Sequence, residues 1–197
     1  MGVDRLQREY TDGSRRVIGG LINRITRIPV TGNQITAAGF VLNVVAAVLI
    51  YREQWIAGGM VFLVGSILDV FDGAVARARG EAGPRGAIID SILDRASEAI
   101  VLGSIGLVFA RDGNQIALAA VIVALTCSFL TSYLRARAEA LGLDGTHGLM
   151  ARAERVVLIS AALLFAPLGA LPWGIILLAL LSVLTVAQRA KHVLRQL

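Results

Sequence analysis

Six apolar segments recur along the chain, at about residues 35–51, 55–76, 87–110, 115–134, 154–170 and 172–188. Each provides about 17–24 residues, enough for a helix that crosses a bilayer core of about 30 Å with some tilt. The connections between them are short or rich in arginine, and no Pro/Gly/Ser-rich linker divides the chain. The pattern predicts an all-α, polytopic membrane protein, a single domain over residues 1–197 with six transmembrane helices. Ahead of the first span, Val17, Ile18, Leu21, Ile22 and Ile25 recur at helical spacing among Arg15, Arg16, Arg24 and Arg27. That alternation predicts an amphipathic helix lying at the membrane interface within a cytosolic segment of about residues 1–30.

Charge sets the orientation. With six spans both termini share one side, and 17 of the 19 lysines and arginines fall there, leaving Arg52 and Arg111 on the other. Cytosolic connections carry the excess of basic residues, so the termini are expected in the cytosol and the protein in the cell membrane. Trp55 and Trp173 then fall at the opposite interface, where indole rings favour the headgroup level. The composition agrees with this picture: 56% of residues are hydrophobic and the mean hydropathy is +0.71. The pI of about 10.3 comes from residues flanking spans, not from one basic stripe, and aromatic residues are only 6%. Nucleic acid is therefore not an expected partner; the lipid bilayer is. The lone Cys127 lies in an apolar run and is expected to be a small buried residue, while His147 and His192 are expected to be solvated.

Four carboxylates break the apolar pattern. Asp69 and Asp72 are three residues apart at the end of the second segment; Asp90 and Asp94 are four apart near the start of the third. Each spacing puts two carboxylates on one helical face. Trp55 and Asp69 are 14 residues apart, a rise of roughly 21 Å, which places Asp69 toward the cytosolic end. Asp90 and Asp94 enter from that same side, so the two pairs can face each other. Ionisable groups in a span are costly and mark functional positions. An all-oxygen set without His or Cys suits Mg²⁺ or Mn²⁺ better than Zn²⁺, and a two-ion arrangement would stabilise charge during phosphoryl displacement. The alternative is structural pairing with Arg77, Arg79, Arg85 and Arg95. Gly73, Ala76 and Gly86 either keep a groove open to a ligand or pack helices closely. A cation transporter or channel would also use acidic residues in its spans, but these four gather at one end and no acidic path continues to the other face.

Read together, Asp69-x-x-Asp72-Gly73-x-x-Ala76-Arg77, eight residues, then Gly86-x-x-x-Asp90-x-x-x-Asp94 resembles the signature of the CDP-alcohol phosphatidyltransferases, with every fixed position present. The resemblance implies six helices with the motif on the second and third, and a homodimer. It implies transfer of a phosphatidyl group from CDP-diacylglycerol to an acceptor hydroxyl, with release of CMP. In such enzymes Asp69, Asp72 and Asp90 would bind two divalent cations, Mg²⁺ or Mn²⁺, bridging the donor pyrophosphate. Asp94 would be the general base and could also contribute to the metal site. Gly73, Ala76 and Arg77 would lie around the cytidine and pyrophosphate. Upstream, Thr31, Asn33 and Thr36 can cap the first span. In similar enzymes this region helps hold the nucleotide, which makes Thr36 a donor-binding candidate, although Gly32 departs from the usual Pro–Asn or Pro–Asp pair.

A second polar cluster reads Ser132-Tyr-Leu-Arg135-Ala-Arg137-Ala-Glu139, then Ala151-Arg152-Ala-Glu154-Arg155, with Gln188-Arg189 closing the sixth span. Several arginines beside a metal site suit an acceptor that itself carries a phosphate, although flanking charge alone also explains them. The cluster resembles that of the actinobacterial phosphatidylinositol-phosphate synthases. By that resemblance the acceptor would be inositol 1-phosphate, held by Arg135, Arg152, Arg155 and Arg189. Arg135 replaces a lysine, Glu98 stands where an aspartate is frequent, and Ala151 where a glutamate is frequent. Glycerol 3-phosphate, the acceptor of a phosphatidylglycerophosphate synthase, is the competing reading because it too brings a phosphate monoester.

Overall fold

The computed structural model describes residues 31–80 and 83–197, so the amphipathic helix expected within residues 1–30 lies outside the described residues. All regular structure among the described residues is helical. The helices are α1 (Gly32–Tyr51), α2 (Trp55–Ala78), α3 (Pro84–Arg111), α4 (Gln115–Ala140), α5 (Arg152–Leu164) and α6 (Leu171–Leu194). Their starts are written in the sequence. The Thr31 hydroxyl accepts the Gln34 N–H, and the Gln34 side chain accepts the Thr31 N–H, a reciprocal cap that satisfies two otherwise orphaned donors. Pro84 opens α3, where a missing N–H costs nothing. Asn114 accepts the Ala117 N–H to open α4.

The fifth segment differs from its expected extent of 154–170. Its helix ends at Leu164, and Ala166–Leu168 is a 3₁₀ turn followed by Gly169 at φ +78°. Pro167 has no N–H to continue the ladder, and the left-handed conformation falls on the glycine that tolerates it. The 13 residues of α5 rise only about 20 Å. Among the described residues four helices, α1, α2, α4 and α6, are long and apolar enough to cross a membrane. Helix α3 carries Asp90, Asp94, Arg95 and Glu98 along its length, and α5 is short and opens with Arg152, Glu154 and Arg155, which sets these two apart from the other four.

The helices pack as a closed ring in the order α1, α2, α5, α6, α4, α3, with α3 returning to α1. Inside the ring the two ends differ. Ile50, Phe62, Leu102, Ile105, Leu163 and Ile175 form the apolar core, and each lies in the half of its helix away from the aspartates. At the other end the buried residues turn polar: Thr36, Asp72, Glu98, Thr131, Arg155, Thr185 and Arg189. Outside, Val41, Met60, Val64, Ile122 and Leu180 are exposed, the apolar exterior that a lipid environment accommodates. At the core end Arg111 pairs with Glu53 at 2.5 Å, joining the α1–α2 and α3–α4 turns.

Helix α1 reaches the polar end because it lies close along α2. A Cβ added at Gly39 would sit 3.0 Å from the Gly65 carbonyl oxygen, and one at Gly65 would sit 2.7 Å from Asn43 Oδ1. Small residues at a crossing let two backbones approach. Gly65→Val should therefore force α1 from α2 and destabilise the chain by about 1–3 kcal/mol through overpacking. Thermal unfolding in detergent checks this, with a lowered midpoint expected.

Candidate metal and acceptor site

The α2–α3 connection folds the two aspartate pairs against each other. One carboxylate oxygen each from Asp69, Asp72 and Asp90 lie within 4.8 Å of one another. Asp72 is buried, and the Thr36 hydroxyl of α1, which also lies 3.1 Å from the Gly32 carbonyl oxygen, bonds to its carboxylate. Asp90 Oδ1 is buried with no hydrogen-bond partner among the described residues. A buried, unpaired carboxylate oxygen beside two other carboxylates is unfavourable unless a cation is there. The donor set is all oxygen, which matches a hard divalent ion. The residues therefore fit a divalent cation held by Asp69, Asp72 and Asp90.

Asp94 stands beside this trio, joined to it by an arginine. Arg152 Nη1 lies 2.6 Å from Asp94 Oδ1 and also bonds to Asp69 Oδ2. The pairing arginine comes from α5; no described ion pair joins these aspartates to Arg77, Arg85 or Arg95. Arg95 instead donates to the Ser91 carbonyl at 2.6 Å.

Two cavities reach the aspartates, one at Asp72 and Asp90 and the other at Asp94. The first, about 220 Å³, is bounded by α1, α2 and the start of α3, and is lined by Asn33, Thr36, Asp72, Gly73, Ala76, Arg77, Gly86 and Asp90. The sequence-predicted donor residues Thr36, Gly73, Ala76 and Arg77 thus share one wall. The Arg77 guanidinium folds back over Gly73, where an added Cβ would lie 3.3 Å from Nη1. Around Gly86 there is open space except for Asn33 Oδ1 at 3.6 Å, so its lack of a side chain keeps the cavity clear. The second cavity, about 150 Å³, is lined by Asp94, Arg95, Glu98, Thr131, Ser132, Arg135, Ala151, Arg152, Arg155 and Arg189. All four arginines expected at an acceptor site lie here.

Their present partners differ. Arg155 makes a two-pronged, buried pair with Glu98, at 2.7 and 3.0 Å, and also donates to the Met150 carbonyl at 3.2 Å. Arg135 pairs with Glu139 one turn on at 2.8 Å, on an exposed surface. Arg189 is buried and donates to the carbonyls of His147 (2.8 Å), Thr131 (2.9 Å) and Thr146 (3.4 Å). It clamps the 141–151 connection, which forms one rim of the cavity, to the end of α4. The same connection is tied to α6 through Leu149 N–H to Gln188 Oε1 and Met150 N–H to Thr185 Oγ1. His147 and His192, expected to be independently solvated, stack at 4.7 Å, and His192 lies 3.4 Å from Asp144. The Thr146 hydroxyl and N–H, both donating to Asp144, hold its carboxyl below the usual carboxylate range.

Sequence reasoning named Glu98 only as a departure from a pattern and Ser132 only as the start of the polar cluster, and did not name Arg95 or Thr131 as cavity residues. A signal for Glu98 was present, since Asp90, Asp94 and Glu98 recur every fourth residue on one face of α3.

Such a fold and site define a membrane-embedded transferase class, and the comparisons name it. Residues 30–187 match the family model for CDP-alcohol phosphatidyltransferase, and the chain belongs to this family. It is 35% identical over 175 residues, 88% of each chain, to the archaetidylinositol phosphate synthase of Pyrococcus horikoshii. It is 32% identical over 185 residues to the phosphatidylinositol phosphate synthase of Mycobacteroides abscessus, covering 88% of this chain and 82% of that one. Among solved structures it resembles the phosphatidylinositol phosphate synthase of Mycobacterium tuberculosis with CDP-DAG bound. That match has a TM-score of 0.81 and 30% identity, over 90% of this chain and 94% of the other. The Mycobacterium tuberculosis enzyme has also been solved in complex with manganese and citrate, with a TM-score of 0.80 to this chain.

Thr36 sits one step behind the carboxylates. Groups that orient a metal ligand typically contribute about 10–100-fold in metal affinity. Thr36→Val, which keeps the shape and removes the hydroxyl, should weaken Mn²⁺ binding by that order, and Thr36→Ser should retain it. Titration of free Mn²⁺ by electron paramagnetic resonance reads both.

Proposed function

We propose that this protein transfers a phosphatidyl group from CDP-diacylglycerol to the hydroxyl of inositol 1-phosphate, giving phosphatidylinositol phosphate and CMP. The observation that carries this reading is that two cavities of different lining each reach aspartates of the motif. The first is lined by Gly73, Ala76 and Arg77, the second by arginines, with Asp90 facing one and Asp94 the other. The related synthases support the acceptor: their names share inositol phosphate while differing in the lipid, archaetidyl or phosphatidyl.

In this reading the donor's cytidine and pyrophosphate occupy the cavity of Thr36, Gly73, Ala76 and Arg77, and its acyl chains remain in the bilayer. Asp69, Asp72 and Asp90 would hold Mg²⁺ or Mn²⁺, as two ions, and the bound cations would neutralise charge on the pyrophosphate and the departing CMP. Arg135, Arg152, Arg155 and Arg189 surround the acceptor, Arg135 with an exposed guanidinium and Arg155 and Arg189 by fixing the cavity's walls. Asp94 takes the proton of the acceptor hydroxyl. The hydroxyl oxygen forms a bond to the phosphorus that carries the diacylglycerol, the bond from that phosphorus to CMP breaks, and CMP leaves with the electron pair.

The membrane arrangement follows the same reading. All six segments cross the bilayer as members of the ring, the fifth as α5 continued by the 3₁₀ turn Ala166–Leu168, and the chain forms one domain. Both termini and the site face the cytosol across the cell membrane, with residues 1–30 at its surface, and the protein acts as a homodimer. The arginine-rich cavity also admits glycerol 3-phosphate, whose smaller polyol brings the same phosphate.

Purified protein with CDP-diacylglycerol and Mg²⁺ should release CMP fastest with inositol 1-phosphate, compared with free inositol and glycerol 3-phosphate. A clear preference for glycerol 3-phosphate would overturn the acceptor and leave the reaction class standing. Loss of a general base typically costs about 10²–10⁴-fold, so Asp94→Asn should lower kcat by that order with the donor still bound. Full turnover by Asp94→Asn would sink its assignment as the base.

A further inference from the structure

Arg152 was expected only as a ligand for the acceptor's phosphate, yet its guanidinium lies against two carboxylates of different helices. Asp69 on α2 and Asp94 on α3 both contact the same nitrogen, Nη1. Neither carboxylate is well solvated, with side chains 9% and 15% exposed. Asp94 Oδ1 has no hydrogen bond of good geometry among the described residues, so the charge 2.6 Å away is what holds it. Without that cation two like charges would face each other in a poorly solvated site.

The position of Arg152 is itself fixed. Arg152 and Arg155 are three residues apart on α5, and Asp94 and Glu98 are four apart on α3, so two parallel rungs of long side chains bridge these helices across the ring. The Glu98–Arg155 rung is buried and two-pronged, which sets the register of α5 on α3. Arg155 is fully engaged there and with the Met150 carbonyl, so it cannot take over at Asp94. Arg152 is the cation of the other rung, and it reaches past Asp94 to Asp69 of the metal trio.

We infer that Arg152 is a positioning residue for the transfer step: it fixes the Asp94 carboxylate at a set place beside the Asp69–Asp72–Asp90 trio, while its flank faces the acceptor cavity. The inference rests on the proposed reading of Asp94 as the base. A residue that only bound the acceptor's phosphate would act on acceptor affinity and not on turnover at saturation. A positioning residue acts through Asp94, so its loss and the loss of Asp94 are not independent.

The test is a double-mutant cycle of Arg152→Ala and Asp94→Asn in the full chain in detergent, reading CMP release at saturating acceptor together with the thermal midpoint. Arg152→Ala should lower kcat by about 30-fold or more, and should add less than about 3-fold in the Asp94→Asn background. Arg152→Lys, which keeps the charge as a single-point donor, should recover part of kcat. The thermal midpoints should also be coupled, Arg152→Ala destabilising the wild type more than Asp94→Asn. An Arg152→Ala variant with unchanged kcat and a raised KM for the acceptor overturns the inference, as do kinetic losses that multiply independently. Coupled midpoints with uncoupled kinetics would mean a structural pair alone and overturn it too. Absence of CMP release from the wild type with every acceptor would instead overturn the functional reading, and it is distinguished because it precedes any substitution.

Discussion

Four carboxylates packed at one end of an apolar helix ring are the constraint on which the rest of this structure depends. Each would be costly to bury alone, and their mutual repulsion adds to the cost. The fold answers in three ways. Thr36 bonds to Asp72, Arg152 stands between Asp69 and Asp94, and the oxygen donors of Asp69, Asp72 and Asp90 converge on one point. The first two are supplied by the protein; the third fits a divalent ion. An arrangement of this kind has a use as well as a cost, because a low-dielectric site strengthens the hold of fixed charges on a substrate's pyrophosphate.

The remaining architecture serves that end of the ring. The apolar core occupies the opposite half, where Ile50, Phe62, Ile105 and Leu163 close it. Close approach at Gly39 and Gly65 brings α1 near enough for Thr36 to reach Asp72. The short α5 starts beside the aspartates, which puts Arg152 in the wall of the arginine-lined cavity and against Asp69 and Asp94. Arg189 ties the 141–151 connection to the end of α4, giving the arginine-lined cavity its rim. In the proposed reading, donor and acceptor approach the aspartates from separate cavities.

Much of this was legible in the sequence because the signals were local. Hydrophobic runs located α1 to α3 and the starts of α4 and α6 within three residues, while α4 and α6 run six residues past their expected ends into charged sequence, and i, i+3 and i, i+4 spacing announced two aspartate pairs on single faces. The early end of α5 was not read, since the run of apolar residues continues past Leu164 and only Pro167 and Gly169 mark the break. The four arginines named together from the sequence share one cavity, but their partners were not legible. Arg155 meets Glu98 from 57 residues away, Arg189 meets Thr131 from 58, and Arg152 meets Asp69 from 83. Pairings of that kind depend on which helices become neighbours in the ring, and no window of sequence carries that information. Thr36 shows the same limit: it was read as a contact to nucleotide or a cap, and its hydroxyl is found on a carboxylate.

The central claim is that Asp69, Asp72 and Asp90 together hold a divalent cation between the two cavities. Crystals of the protein grown with Mn²⁺, measured at the manganese absorption edge, test it most directly. Anomalous density is expected within bonding distance, about 2.1–2.2 Å, of oxygens from all three aspartates. Density absent from that point, with manganese bound elsewhere or not at all, would contradict it.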